Sequence, residues 1–210
     1  MSLPGGPSPA VDRLLEQLER ARTLGFLGPG PVVEHLTHAQ GFLDALVPVT
    51  GRIVDLGSGG GVPGLAVAVL RPDLEVVLVD AAAKRGAFLD GAVATLDLST
   101  RCQVVVGRAE VLGRGPLRGS ADAVVARSFG PPAATAECAA PLLRVGGRLI
   151  VSEPPAAAEN RWPGAGLGAL GMAPLDRSTA GPQMQILVQE RLCGDLYPRR
   201  DGVPAKRPLF

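Results

Sequence analysis

Residues 53–64 read Ile53-Val54-Asp55-Leu56-Gly57-Ser58-Gly59-Gly60-Gly61-Val62-Pro63-Gly64. A short apolar run rich in β-branched residues runs into a glycine bend, and a proline then stands as the first residue of a helix. Strand, glycine turn and helix in that order form the unit from which open α/β sheets are built. Glycine at such a bend permits positive φ and lets the backbone come close to a ligand.

The glycines alone do not name the ligand. Gly59-x-Gly61-x-x-Gly64 satisfies the dinucleotide fingerprint, in which a pyrophosphate faces a helix N-terminus. Asp55 points elsewhere, because a carboxylate at the end of the first strand repels a pyrophosphate and suits a ligand carrying ammonium and sulfonium charges. S-adenosyl-L-methionine is such a ligand, and a nicotinamide oxidoreductase becomes the weaker reading. The next strand ends in Asp80, where a carboxylate can accept from both ribose hydroxyls of either cofactor. A lone acid after a strand is more commonly a helix cap or a solvated loop residue. Two of them around one glycine loop favour the pocket.

Outward from this unit, apolar runs alternate with helical stretches: RIVDL, EVVLVDA, QVVVG, ADAVVARS and GRLIVS, with helices over 63–70, 84–98 and 132–143. That alternation predicts a Rossmann-like, mostly parallel doubly wound sheet. QMQILVQERL supplies a late strand, antiparallel beside an earlier weak one. Upstream, Ser8 as N-cap and Pro9 in the first turn open an amphipathic helix over 8–24, and a second runs over 32–47. The expected organisation is an N-terminal helical extension (1–48), a cofactor-binding core (49–192) and a basic arm (193–210). The stretch 154–171 approaches low complexity, and the last residues carry too much proline and charge for regular structure.

Composition narrows the function classes. The chain has 210 residues, 46% hydrophobic and 20% charged, with a formal charge of +1, so any nucleic acid must be met by local patches. Aromatics make up 3%, too few for a base-stacking sheet face. Cys102, Cys138 and Cys193 stand far apart without metal-ligand spacing, and His35 and His38 cannot complete a metal site, so they read as surface or packing residues. No metal is expected. Without a secretory signal or an apolar run of membrane length, the expectation is a cytoplasmic protein with no membrane partner.

The motifs DLGSGGGVPGLAVA (55–68), VDAAAKRGAFL (79–89), GRAEV (107–111) and ARSFG (126–130) together resemble the bacterial glucose-inhibited division protein B family, whose members are small-subunit ribosomal RNA guanine-N7 methyltransferases. LYPRRDGVPAKRPL (196–209) resembles the family's closing arm. The resemblance implies that Gly57 and Val62 contact the cofactor, that Ala109 and Glu110 lie beside adenine, and that Arg127 orients the acceptor. Asp55, Gly59 and Asp80 complete the pocket. Lys84 and Arg85 match the family's Lys-Arg pair and are expected at RNA phosphates, as are Arg199, Arg200, Lys206 and Arg207 of the arm. The implied partner is 16S ribosomal RNA or the small ribosomal subunit, met by a monomer. Guanine N7 carries a free lone pair, so no general base is required.

Three departures stand out. Ala81 replaces the serine ahead of the Lys-Arg pair, and an Asn-Leu-Thr segment of the N-terminal region is reduced to a loose echo in 38–46. After the fifth strand, Ser152-Glu153-Pro154 puts an anion where the family carries a lysine. On sequence alone that reversal argues for a relative that binds S-adenosylmethionine but methylates another acceptor, or for a non-catalytic ribosome-associated module. It also predicts that Glu153→Lys raises methylation of small-subunit RNA.

Overall fold

The computed structural model describes residues 8–154, 160–178 and 181–210. The strands are β1 (Gly51–Leu56), β2 (Leu74–Asp80), β3 (Cys102–Val106), β4 (Ala121–Ala126), β5 (Leu143–Ser152), β6 (Met172–Ser178) and β7 (Met184–Gln189). They form one sheet in the order β3-β2-β1-β4-β5-β7-β6. β1 to β5 pair in parallel, whereas β7 runs antiparallel between β5 and β6. The strand order reverses between β1 and β4, and open α/β sheets bind ligands at the carboxyl ends beside such a switch.

The apolar runs are continuous because both sheet faces are covered. Ile53, Val76, Leu78, Val125, Ile150 and Ile186 point into one buried cluster, and their neighbours Val54, Val77, Val79, Val124, Leu149 and Leu187 point into the other. Helices α1 (Pro9–Thr23), α2 (Val32–Ala45), α3 (Gly64–Leu70) and α4 (Ala83–Thr95) cover the first face. α5 (Ala109–Leu112), α6 (Pro132–Ala139) and α7 (Gly164–Ala169) cover the second. The N-terminal helices share one core with α3 and α4 through Leu14, Leu18, Leu36 and Phe42, all fully buried.

Local rules explain the boundaries. The Ser8 hydroxyl accepts from Val11 N–H at 3.3 Å, capping α1 with Pro9 in the first turn. Pro63 precedes α3 instead of opening it, since the helix begins at Gly64. α6 stops at Ala139, short of the expected 143, and a 3-10 turn over Ala140–Leu142 follows because Pro141 has no N–H with which to continue an α-helix. The closing segment, expected to lack regular structure, makes one turn of helix, α8 (Val203–Lys206), with proline in its first turn where the missing N–H costs nothing. Of the low-complexity stretch, residues 155–159 lie outside the described residues.

Candidate functional site

The glycine bend sits at the carboxyl end of β1. Gly57 and Ser58 both donate their N–H to the Val79 carbonyl at 2.9 Å, which clips the bend to the end of β2. Gly57 has φ +79, and a Cβ there would lie 2.8 Å from the Phe129 ring, so both conformation and space demand glycine. Behind the bend stands Asp55, 1% exposed, its Oδ2 accepting from the Gly64 N–H at 3.0 Å at the start of α3. A Cβ on Gly64 would come within 2.3 Å of that oxygen. Burial pushes the Asp55 carboxyl up to about 7, against hydrogen bonds from Ser58 and Gly64 that lower it. The expected display of this carboxylate to a cationic ligand is corrected: it is enclosed beneath the loop, and any influence on a ligand acts through space. Val62 is likewise a core residue, 6% exposed and packed in the first cluster, so its side chain does not face the cleft.

Asp80 organises the front of the loop. Its Oδ2 accepts from Gly59 N–H at 2.9 Å, and its Oδ1 accepts from Ala82 N–H at 2.8 Å and Arg85 Nε at 2.9 Å. Arg85, expected on RNA, pairs here with the ribose-binding candidate from the first turn of α4 and keeps 42% of its side chain exposed. Lys84 is exposed. Beside Asp80 opens a cavity of about 250 Å³ lined by Ala81, Ala109, Glu110, Phe129, Gly130 and residues of α8.

The C-terminal arm closes this cavity. Pro204 and Ala205 line it, and Gly202 donates its N–H to Glu110 Oε1 at 2.9 Å. Burial alone would raise the Glu110 carboxyl, but the Gly202 N–H and the Arg108 guanidinium hold it below the usual carboxylate range. Arg199 makes the deeper anchor: its backbone N–H and guanidinium donate to Glu137 at 2.6–2.8 Å, and Glu137 is fully buried. Arg118 also donates to the Tyr197 and Cys193 carbonyls. The expectation that Arg199 meets RNA is therefore corrected; its charge is committed to a buried acid. Arg200, Lys206 and Arg207 are exposed.

On the other side of Phe129 and Gly130 lies a second cavity of about 360 Å³, lined by His38, Arg127, Ser128, Ser152, Glu153, Arg161 and Trp162 among others. Arg127 Nη2 donates to His35 Nδ1 at 2.7 Å, and His35 Nε2 lies 3.2 Å from the Gly28 carbonyl. Arginine has no acceptor, so His35 Nδ1 accepts from Arg127 and Nε2 is the nitrogen placed to donate to the Gly28 carbonyl. His38 Nε2 is buried with no partner among the described residues, and burial with the nearby Arg127 charge lowers its pKa to about 4. His38 thus borders the cleft, whereas His35 is a buried packing residue, as expected, that reaches the cleft only through Arg127. Ser128, between Arg127 and Phe129, holds φ +54, a strained backbone at the junction of the two cavities.

A larger cavity, about 530 Å³, opens at the opposite end of the strands among Arg52, Glu75 and Arg101. Arg52 and Glu75 pair with each other there, and ligands of this architecture gather at the carboxyl ends, so it is a poorer candidate. Among the described residues no group of His, Cys, Asp or Glu has the arrangement to hold a metal, and no helix is long and apolar enough to cross a membrane.

Comparison with known proteins agrees with this geometry. The fold is shared with a geranyl diphosphate methyltransferase solved in complex with SAM (TM-score 0.55, 15% identity, 74% of this chain and 85% of that one). It is also shared with a T. thermophilus 16S rRNA methyltransferase solved with AdoMet and guanosine (TM-score 0.52, 19% identity, 77% of this chain and 40% of that one). Two proteins named ribosomal RNA small subunit methyltransferase G are closer in sequence. That of Rubrobacter xylanophilus is 35% identical, over 93% of this chain and 80% of its own. That of Symbiobacterium thermophilum is 34% identical, over 98% of this chain and 91% of its own. With residues 32–159 matching the family described as rRNA small subunit methyltransferase G, and full-length relatives at this identity, the chain belongs to that family of methyltransferases.

Proposed function

We propose that this chain transfers a methyl group from S-adenosyl-L-methionine to N7 of a guanine in 16S ribosomal RNA, acting in the cytoplasm as a monomer on the small subunit or its RNA. The observation that carries the reading is the pair of adjoining cavities at the carboxyl ends of β1 to β5, separated by Phe129 and Gly130. The 250 Å³ cavity suits an adenine, with Ala109 and Glu110 at its side and Asp80 at its mouth where the ribose would follow. Asp80 already fills three of its roughly four acceptor positions, so ribose hydroxyls would exchange with Arg85, which is partly exposed and free to swing out. Gly57 and Gly59 present backbone to the methionine end. Residues 49–192 act as the cofactor-binding core, 1–48 contribute His35 and His38 on the acceptor side, and 193–210 cover adenine.

The cofactor supplies a methyl group on a sulfonium sulfur, which leaves as a neutral thioether when a nucleophile attacks in line. The chain's task is alignment, for N7 offers its lone pair without losing a proton. Arg127, fixed by His35, lies on the acceptor side of Phe129, where its fork can hold O6 or a phosphate. Lys84, Arg200, Lys206 and Arg207 offer exposed cations for the RNA backbone.

The test is methyl transfer from labelled S-adenosylmethionine to small subunits from a strain lacking this protein, with the modified nucleotide mapped. Label at one guanine N7, lost in Asp80→Ala together with cofactor affinity, is the expected result. Label confined to other acceptors would overturn the reading, and no heat of cofactor binding in calorimetry would overturn its foundation.

A further inference from the structure

We propose that Arg161, held in place by Glu153, is an acceptor-binding cation of this enzyme, gripping an RNA phosphate beside the target nucleotide. The inference rests on reading the 360 Å³ cavity as the acceptor site.

Glu153 at the end of β5 is not a free anion facing RNA. It is 6% exposed, one carboxylate oxygen accepts from Trp162 Nε1 at 3.1 Å, and the other forms an ion pair with Arg161 Nη1. The acid is therefore the base of a mount whose working end is a guanidinium. Arg161 keeps 29% of its side chain exposed and lines the same cavity as Arg127 and His38. Guanidinium carries five N–H donors, and only Nη1 is engaged with Glu153, so a bidentate edge remains for a phosphate. Among the described residues that line the cavity, Glu153 is balanced by Arg161 and Arg127 adds a positive charge, the sign that an RNA acceptor needs. A phosphate, rather than the base, suits Arg161 because Arg127, on the same cavity, offers donors of its own to the base.

The test uses the full chain and small subunits lacking the modification, with Arg161→Met, Arg161→Lys and Glu153→Gln. Arg161→Met is expected to raise KM for subunits about tenfold, with kcat within about twofold of wild type and cofactor affinity unchanged. In filter binding it should also flatten the dependence of log affinity on log salt by about one. Arg161→Lys should recover much of the KM, and Glu153→Gln should fall between, since the amide oxygen still accepts from Trp162 but the ion pair is gone. Glu153→Lys, favourable on sequence grounds, is expected instead to lower activity, because it sets a like charge against Arg161 and strips Trp162 of its acceptor. Wild-type KM and salt slope in Arg161→Met would overturn the proposal, as would a melting loss in Arg161→Met that Arg161→Lys fails to restore. If the wild type binds subunits but transfers no methyl group, the proposed reaction falls, while the salt slope of Arg161→Met still decides the role of this residue.

Discussion

Asp55→Asn isolates the electrostatics of the glycine loop. The wild-type carboxyl ionises near its ordinary value of 3.8 in the unfolded chain and near 7 in the folded protein, chiefly because burial disfavours the charge. Below about pH 4 both states are protonated and the group adds no cost. Between about 4 and 7 the folded state binds the extra proton, so stability falls as pH rises, and above about 7 the loss is complete at roughly 4 kcal/mol. Asparagine keeps an oxygen to accept from Gly64 N–H and cannot ionise. Urea unfolding of both proteins from pH 4.5 to 8.5 should therefore give a difference that grows in favour of the variant by several kcal/mol across that interval, the other titrations cancelling between them. A difference that stays flat with pH, or that grows in favour of wild type, would refute the claim that burial keeps a proton on this acid up to about pH 7. A cofactor cation in front of the loop would favour the ionised form. Wild-type affinity for S-adenosylmethionine is thus expected to rise up to about tenfold per unit as pH approaches 7, and the variant's to stay level.

Two further outcomes follow from the same structure. Truncation after Cys193, harmless to the cofactor if the arm served only RNA, should weaken S-adenosylmethionine binding in calorimetry. It should also lower stability by about 3–5 kcal/mol, because Glu137 is left buried without Arg199 and the cavity proposed for adenine loses Pro204 and Ala205; unchanged affinity would show that α8 does not cover the ligand. His35→Ala should slow methyl transfer while sparing cofactor affinity, since Arg127 loses the acceptor that fixes its fork; a wild-type single-turnover rate would assign His35 to packing alone.

The sheet was legible because its signals are local. Strands buried on both faces read as continuous apolar runs, and Ser8 with Pro9 marks the start of α1 without help from the rest of the chain. β6 was not locatable, since Met172–Ser178 is an edge strand whose burial amounts to Met172, with Pro174 interrupting the pattern. α7 is a glycine-rich turn held by the burial of Leu167, a tertiary effect with no propensity behind it. The glycine loop and Asp80 were readable because strand, bend and helix are contiguous. The partners that decide side-chain roles were not: His35 meets Arg127 across 92 residues, and Glu137 meets Arg199 across 62. Even Glu153, eight residues from Arg161, misled, because its burial cannot be read from its type.

The four acids of the cleft share a condition that bears on how the two ligands must bind. Asp55 is neutralised by its own proton below about pH 7, Asp80 by Arg85 and backbone donors, Glu110 by Arg108 and Gly202, and Glu153 by Arg161. A ligand entering such a site exchanges existing partners for its own, so polar contacts there confer orientation more than net affinity. On the proposed placement of adenine between Phe129, Ala109 and α8, binding energy for the cofactor comes largely from enclosing the ring and should respond little to salt. If RNA is met by the exposed cations Lys84, Arg200, Lys206 and Arg207, as proposed, counterions are released on contact and its affinity should fall steeply with salt. A chain of nearly zero net charge can then serve a polyanion without surrendering specificity at its methyl-transfer site: attraction is displayed on the rim, and the interior has been balanced in advance.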